Sequence, residues 1–137
     1  MDARDAARDW ARRWRDGWLA HDPASIAAMY APDCVHRSTP FRPVHAGRTA
    51  LEAYVRGAFA DEREIIDVRF GEPLVDGDRV AVEYWAVFVD AETGRPATLA
   101  GSCFLRLGPD GLVTTSRDYW HQEDGAHTPP PEWGGPR

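Results

Sequence analysis

The sequence predicts an α+β fold in which three N-terminal helices pack on one face of a curved antiparallel sheet. Two observations carry that expectation. Apolar residues recur at three- and four-residue intervals up to about Phe59, and beyond Arg63 the pattern changes to strand-like runs separated by short Gly, Asp and Pro turns. A chain of 137 residues, 43% hydrophobic and 28% charged, has room for one compact domain with one core.

The first helix is expected from Ala3 to about Ala20, where Ala3, Ala7, Trp10, Trp14, Gly17 and Trp18 form an apolar stripe opposite Arg and Asp. His21-Asp22-Pro23 interrupts it. Asp22 suits an N-cap and Pro23 a first turn, so a second helix follows, with Ile26, Met29 and Tyr30 on its apolar face and Pro32 as its stop. Cys34 to Thr39 reads as a short strand. Pro40, Pro43 and Gly47 then impose a loop before a third helix, Arg48 to about Phe59, whose apolar face is Leu51, Tyr54, Val55 and Phe59. Four runs read as an antiparallel meander: Ile66 to Leu74, Arg79 to Val89, Ala97 to Leu107 and Leu112 to His121. The turns between them are Asp76-Gly77-Asp78, Glu92-Thr93-Gly94 and Gly108-Pro109-Asp110-Gly111. Residues 1–121 are thus read as one domain and residues 122–137 as a Pro/Gly-rich tail.

Composition excludes several classes of function. The net charge is −6 and no basic run could track a phosphate backbone, so no nucleic acid is expected as a partner. All sixteen basic residues are Arg, which removes lysine Schiff bases, lysine-bound pyridoxal phosphate and Walker-type phosphate loops. Cys34 and Cys103 stand far apart and read as small buried hydrophobes. The spacing of His21, His36, His45, His121 and His127 brings no two to a carboxylate, and no Gly-x-Ser-x-Gly elbow is present, so neither a metal nor a cofactor is expected. The charged N-terminus and the lack of a long apolar stretch lead to the expectation of a cytoplasmic protein without membrane attachment. Abundant Ala, Arg, Gly and Pro point to a GC-rich bacterial gene.

In the closing strand, Ser116, Asp118 and Trp120 share one face, and Arg117, Tyr119 and His121 the other. A carboxyl between a serine and a tryptophan is partly desolvated, which raises its pKa toward neutrality and suits it to proton transfer. His36 and Ser38 share a face of the short strand. An imidazole beside Asp118 would supply an acid and a base with pKa values pushed apart.

This order of elements, with Gly47-Arg48 opening the third helix and Arg117-Asp118-Tyr119-Trp120 closing the sheet, resembles the nuclear transport factor 2-like superfamily. More narrowly it looks like the SnoaL-like branch, with its polyketide cyclases, limonene-epoxide hydrolase and ketosteroid isomerase. The resemblance spans residues 3–121 and implies a cone whose open end admits a small hydrophobic ligand above a polar floor. It also implies that Val82, Tyr84, Ala86 and Phe88 point inward and Ala81, Glu83, Trp85 and Val87 outward. The apolar members of the outer set then favour a homodimer through that face, with an Arg across the interface for Glu83. Asp118 occupies a position similar to the catalytic aspartate of the cyclases and the epoxide hydrolase. The hydrolase's Arg and first Asp correspond to Tyr84 and Ala86, so its water-activating set is incomplete here.

The expected function is a cofactor-independent acid–base enzyme of cyclase, isomerase or dehydratase (lyase) type acting on a small, ring-containing hydrophobic substrate. Asp118 would be the principal acid/base and His36 its partner, with Ser38 and Tyr84 orienting the ligand. Trp14, Trp18, Tyr54, Phe104 and Trp120 would form an aromatic wall, although a helical Trp stripe is more often plain core. The alternative is a non-catalytic module holding a hydrophobic ligand in the same cone. Composition alone favours a mostly extended tail; the alternative is that Trp133 docks beside the cone's mouth or on the second subunit and keeps water from the pocket.

Overall fold

Asp2 accepts a hydrogen bond from the Asp5 N–H at 2.8 Å and caps α1, Ala3–Leu19, at the start of a computed structural model that describes residues 2–135. The expected stripe is buried at Ala7, Trp10, Gly17 and Trp18. Asp22 caps α2, Pro23–Ala27, through the Ser25 N–H, again as expected. The helix is shorter than its apolar pattern suggests, because the chain has already entered β1, Tyr30–Ser38, at Tyr30. Pro32 therefore lies inside a strand. The register of β1 shifts between Tyr30 and Val35, where a residue without an N–H is tolerated.

After a two-residue strand, β2 (His45–Ala46), α3 runs Arg48–Ala60. Gly47 takes a left-handed φ of 91°, which suits glycine. The Arg48 guanidinium then donates twice to the Tyr30 carbonyl, at 2.8 and 2.6 Å. The Gly-Arg pair thus ties the start of α3 to the start of β1.

The remaining strands are β3 (Glu62–Phe70), β4 (Leu74–Asp76), β5 (Arg79–Asp90), β6 (Pro96–Leu107) and β7 (Val113–Asp124). They form an open, curved sheet in the order β2-β1-β7-β6-β5-β3, with β4 beside β5. The antiparallel meander of β3, β5, β6 and β7 is present, but β1 adds to β7 in parallel, so the sheet is mixed. The first run begins at Glu62 and leaves the sheet at Gly71, and β7 continues past His121 to Asp124, shortening the tail.

Val80, Val82, Tyr84, Ala86 and Phe88 are buried toward the helices, where all but Phe88 join Trp10, Trp18, Ile26, Leu51, Val55 and Phe59 in one core. Phe104 faces the other way. It pairs with outward Ala81 and Arg117, packs edge-on against Tyr119 with centroids 5.8 Å apart, and carries the Arg117 guanidinium 4.9 Å from its ring centroid. It is part of the outer face, not of the cone wall.

The tail also lies on the outer face. Trp85 Nε1–H donates to the His127 carbonyl at 2.9 Å, and its ring meets Trp133 edge-on at 6.1 Å. The Glu72 N–H donates to Gly134 at 2.8 Å, while a Cβ on Gly71 would stand 2.7 Å from the Gly134 Cα, so the crossing needs glycine there. Trp133 therefore docks on its own sheet's outer face and is not part of the cavity lining. The Glu83 carboxylate accepts the Gly134 N–H at 3.3 Å within the same chain. Among the described residues, no helix is long and apolar enough to cross a membrane.

Candidate active site

The parallel pairing of β1 with β7 builds the floor of the cone. It sets His36 beside Ser116 and Ser38 beside Asp118, and β6 adds Cys103 next to Asp118. All five side chains belong to the inward-facing set of the pleat. His36 Nδ1 lies 2.6 Å from Ser116 Oγ, and Nε2, buried without a hydrogen-bond partner, lies 3.5 Å from Asp118 Oδ2. Ser38 Oγ accepts from the Tyr54 hydroxyl at 2.7 Å and from the Trp120 indole at 3.0 Å, which joins α3, β1 and β7 at one oxygen.

Burial shapes the electrostatics. The Asp118 side chain is 18% exposed, and desolvation lifts its pKa to about 6, against a smaller opposing pull from the Cys103 thiol. His36 is 4% exposed, and desolvation, helped by nearby His45, lowers its pKa to about 4. The order of the pair is therefore inverted relative to the usual one: at no pH are both charged, and above about pH 6 an ionised carboxylate faces a neutral imidazole. In the tautomer whose Nδ1 accepts from the Ser116 hydroxyl, the imidazole N–H sits on Nε2 and faces Asp118. No arginine among the described residues lies within ion-pair distance of Asp118.

Above the floor opens a cavity of about 970 Å³. Trp10, Trp14, Trp18, Tyr54, Tyr84 and Trp120 line it, so the Trp stripe is both core and wall. Tyr84 reaches across β6 because Gly101 is there: a Cβ on Gly101 would stand 2.8 Å from the tyrosine hydroxyl. Of the residues singled out from the sequence, Asp118, His36, Ser38, Tyr84, Trp14, Trp18, Tyr54 and Trp120 converge on this cavity or its floor, and Phe104 does not.

Four participants went unread. Cys103 touches Asp118; Arg42 places its guanidinium 5.3 Å from the Trp120 ring centroid; His45 pairs with His36, their rings 6.2 Å apart; and Glu62 lines the wall. The two histidines meet because β2 folds the loop back onto β1, which their spacing does not reveal. The parity of Cys103 with Leu105 and Leu99 along β6 was the readable sign that it faces inward and Phe104 outward.

An open, curved sheet packed on three helices above a polar floor defines the nuclear transport factor 2-like, ketosteroid isomerase-like class of cone. Within it, the model of the SnoaL-like domain matches residues 11–116, and the chain belongs to that family. Comparison with curated proteins gave no match. Among solved structures, the chain is similar to a candidate isomerase from Bacillus subtilis, with 21% identity, 88% of this chain and 90% of that one covered, and a TM-score of 0.75. It is also similar to SalBIII, an epoxide hydrolase/cyclase-like enzyme of pyran ring formation in the polyether salinomycin (18% identity, 90% and 95% covered, TM-score 0.74). A candidate SnoaL-like polyketide cyclase from Mesorhizobium loti matches at 23% identity, 87% and 99% coverage and a TM-score of 0.72. At these identities the likeness concerns the fold.

Proposed function

We propose that the protein is a cofactor-independent acid–base enzyme of cyclase, isomerase or lyase type, acting on a small, ring-containing hydrophobic substrate. The observation that carries this reading is the Asp118–His36 pair, 3.5 Å apart at the floor of an open aromatic cavity, with no arginine among the described residues within ion-pair distance of Asp118. Asp118 takes a proton from an acidified carbon or hydroxyl of the substrate and returns it at another position. His36 Nε2–H donates to the substrate oxygen on which charge develops, and Ser38 and Tyr84 orient the ring. Family membership and the ring-forming and isomerase-type neighbours support the same class. With Asp118 as base, activity falls as pH drops through about 6. Asp118→Asn should lower kcat by roughly a hundredfold or more. Full turnover in that variant would reject the assignment.

A non-catalytic ligand carrier is the second reading, and the cavity alone suits it equally well. The outward Trp85 and Val87, expected to need a partner subunit, are covered within the chain, Trp85 by the tail and Val87 by burial; we also propose a homodimer through the part of the outer face beyond the tail, where Tyr119 is exposed beside Phe104. Light scattering that gives a monomer mass at micromolar concentration would remove the dimer. A cytoplasmic location is proposed on the same footing.

A further inference from the structure

A second carboxylate–imidazole pair borders the same cavity, apart from the floor. Glu62 opens β3, three strands from β7, and its side chain is only 7% exposed. Its Oε1 accepts the Trp18 indole N–H at 2.9 Å and lies 3.0 Å from His21 Nε2, whereas Oε2 has the same indole alone, at 3.2 Å. His21 is itself fixed. It stacks on Phe59 with ring centroids 4.9 Å apart and planes 13° from parallel. The carboxylate is thus desolvated, oriented from α1 and from the α1–α2 turn, and retains acceptor capacity on one oxygen.

The surroundings specify the sign of what it accepts. Among the described residues, Asp61, Glu62, Asp90, Glu92 and Asp118 line the cavity against one arginine, Arg42, whose guanidinium is already placed over Trp120. Beside Glu62 the walls are rings: Trp14, Trp18 and Phe59 pack against one another with centroids 5.7 to 6.5 Å apart, and Tyr84 stands 6.0 Å from Trp18. Ring faces and carboxylates both attract a cation and repel an anion, and a low-dielectric wall strengthens both effects.

We propose that Glu62, positioned by Trp18 and His21, anchors a protonated amine on the ring-containing ligand of this cavity. The proposal rests on the reading of the cone as the ligand site and adds the substrate class, an apolar amine. Calorimetric titration of the full chain at pH 7.5 with naphthalen-1-ylmethylamine, 1-naphthalenemethanol and 1-naphthoate tests it. The amine should bind about tenfold more tightly than the alcohol, with the carboxylate weakest. Glu62→Gln should abolish the preference, leaving alcohol affinity within about threefold of the wild-type value. Equal or tighter binding of the alcohol by the wild type overturns the assignment of Glu62 while leaving the cone reading intact, and this ranking decides the matter even if Glu62→Gln does not fold. Persistence of the preference in folded Glu62→Gln overturns it as well. Failure of all three probes to bind at millimolar concentration overturns both the amine and the cone as ligand site.

Discussion

The two faces of the one sheet carry similar polar residues and use them in opposite ways. On the inner face His36, Ser38 and Ser116 are buried, and Asp118 is held among the cavity's aromatic rings with no arginine among the described residues within ion-pair distance. On the outer face Glu83 and Arg117 are exposed and Arg37 is half-buried, and the docked tail covers Trp85 and engages the Glu83 carboxylate. Adjacent residues of β7, Arg117 and Asp118, show the contrast at its sharpest. One lies over a surface phenylalanine, and the other has its pKa moved to about 6. Side of the pleat, more than residue type, decides which groups are available for chemistry.

That contrast can be broken at several points. The largest effect belongs to Asp118→Asn, which should remove activity as stated and yet stabilise the fold above pH 7, because a buried charge is lost. The sign follows from its raised pKa: Asp118 contributes stability when protonated, fully present below about pH 4 and lost as pH rises through about 6. His36 has the opposite sign, contributing stability above its unfolded pKa of about 6.5 and losing it as pH falls through about 4.

The two contributions, each about 3 kcal/mol, therefore nearly cancel in the parent between pH 4 and 6.5. Relative to the parent, Asp118→Asn should gain stability with rising pH across that window, and His36→Gln should lose it. Urea unfolding at half-unit pH steps measures both slopes, and equal slopes in the two variants would refute the inverted pair.

A smaller effect is expected on the outer face. Trp133→Ala should cost about 1 to 2 kcal/mol through lost packing on Trp85, and should leave naphthyl-probe affinity unchanged. A change in cavity binding would mean that the two faces are coupled after all.

Much of the inner face was legible because alternation is a local signal. Ser116, Asp118 and Trp120 separate from Arg117 and Tyr119 by parity alone, and the i, i+4 spacing of Trp10, Trp14 and Trp18 marks a buried stripe. Phe104 was misplaced against that same signal, since it shares parity with Ser102 and Arg106. Other features have no local signature. The parallel pairing of β1 with β7 joins segments some eighty residues apart, His45 reaches His36 only through a two-residue strand, and Glu62 finds Trp18 and His21 from 44 and 41 residues away. The inversion of the Asp118 and His36 pKa values is a product of depth in the fold, which periodicity does not encode.

The central claim is that the floor of the cone holds an easily protonated carboxyl beside an imidazole that stays neutral down to about pH 4. Carboxyl and imidazole NMR titration of Asp118 and His36, assigned with the Asp118→Asn and His36→Gln variants, measures it directly. The account predicts an Asp118 midpoint near 6 and a His36 ring that stays neutral down to about pH 4. An Asp118 midpoint near 4 together with a His36 midpoint at or above 6.5 would describe an ordinary ion pair and contradict it.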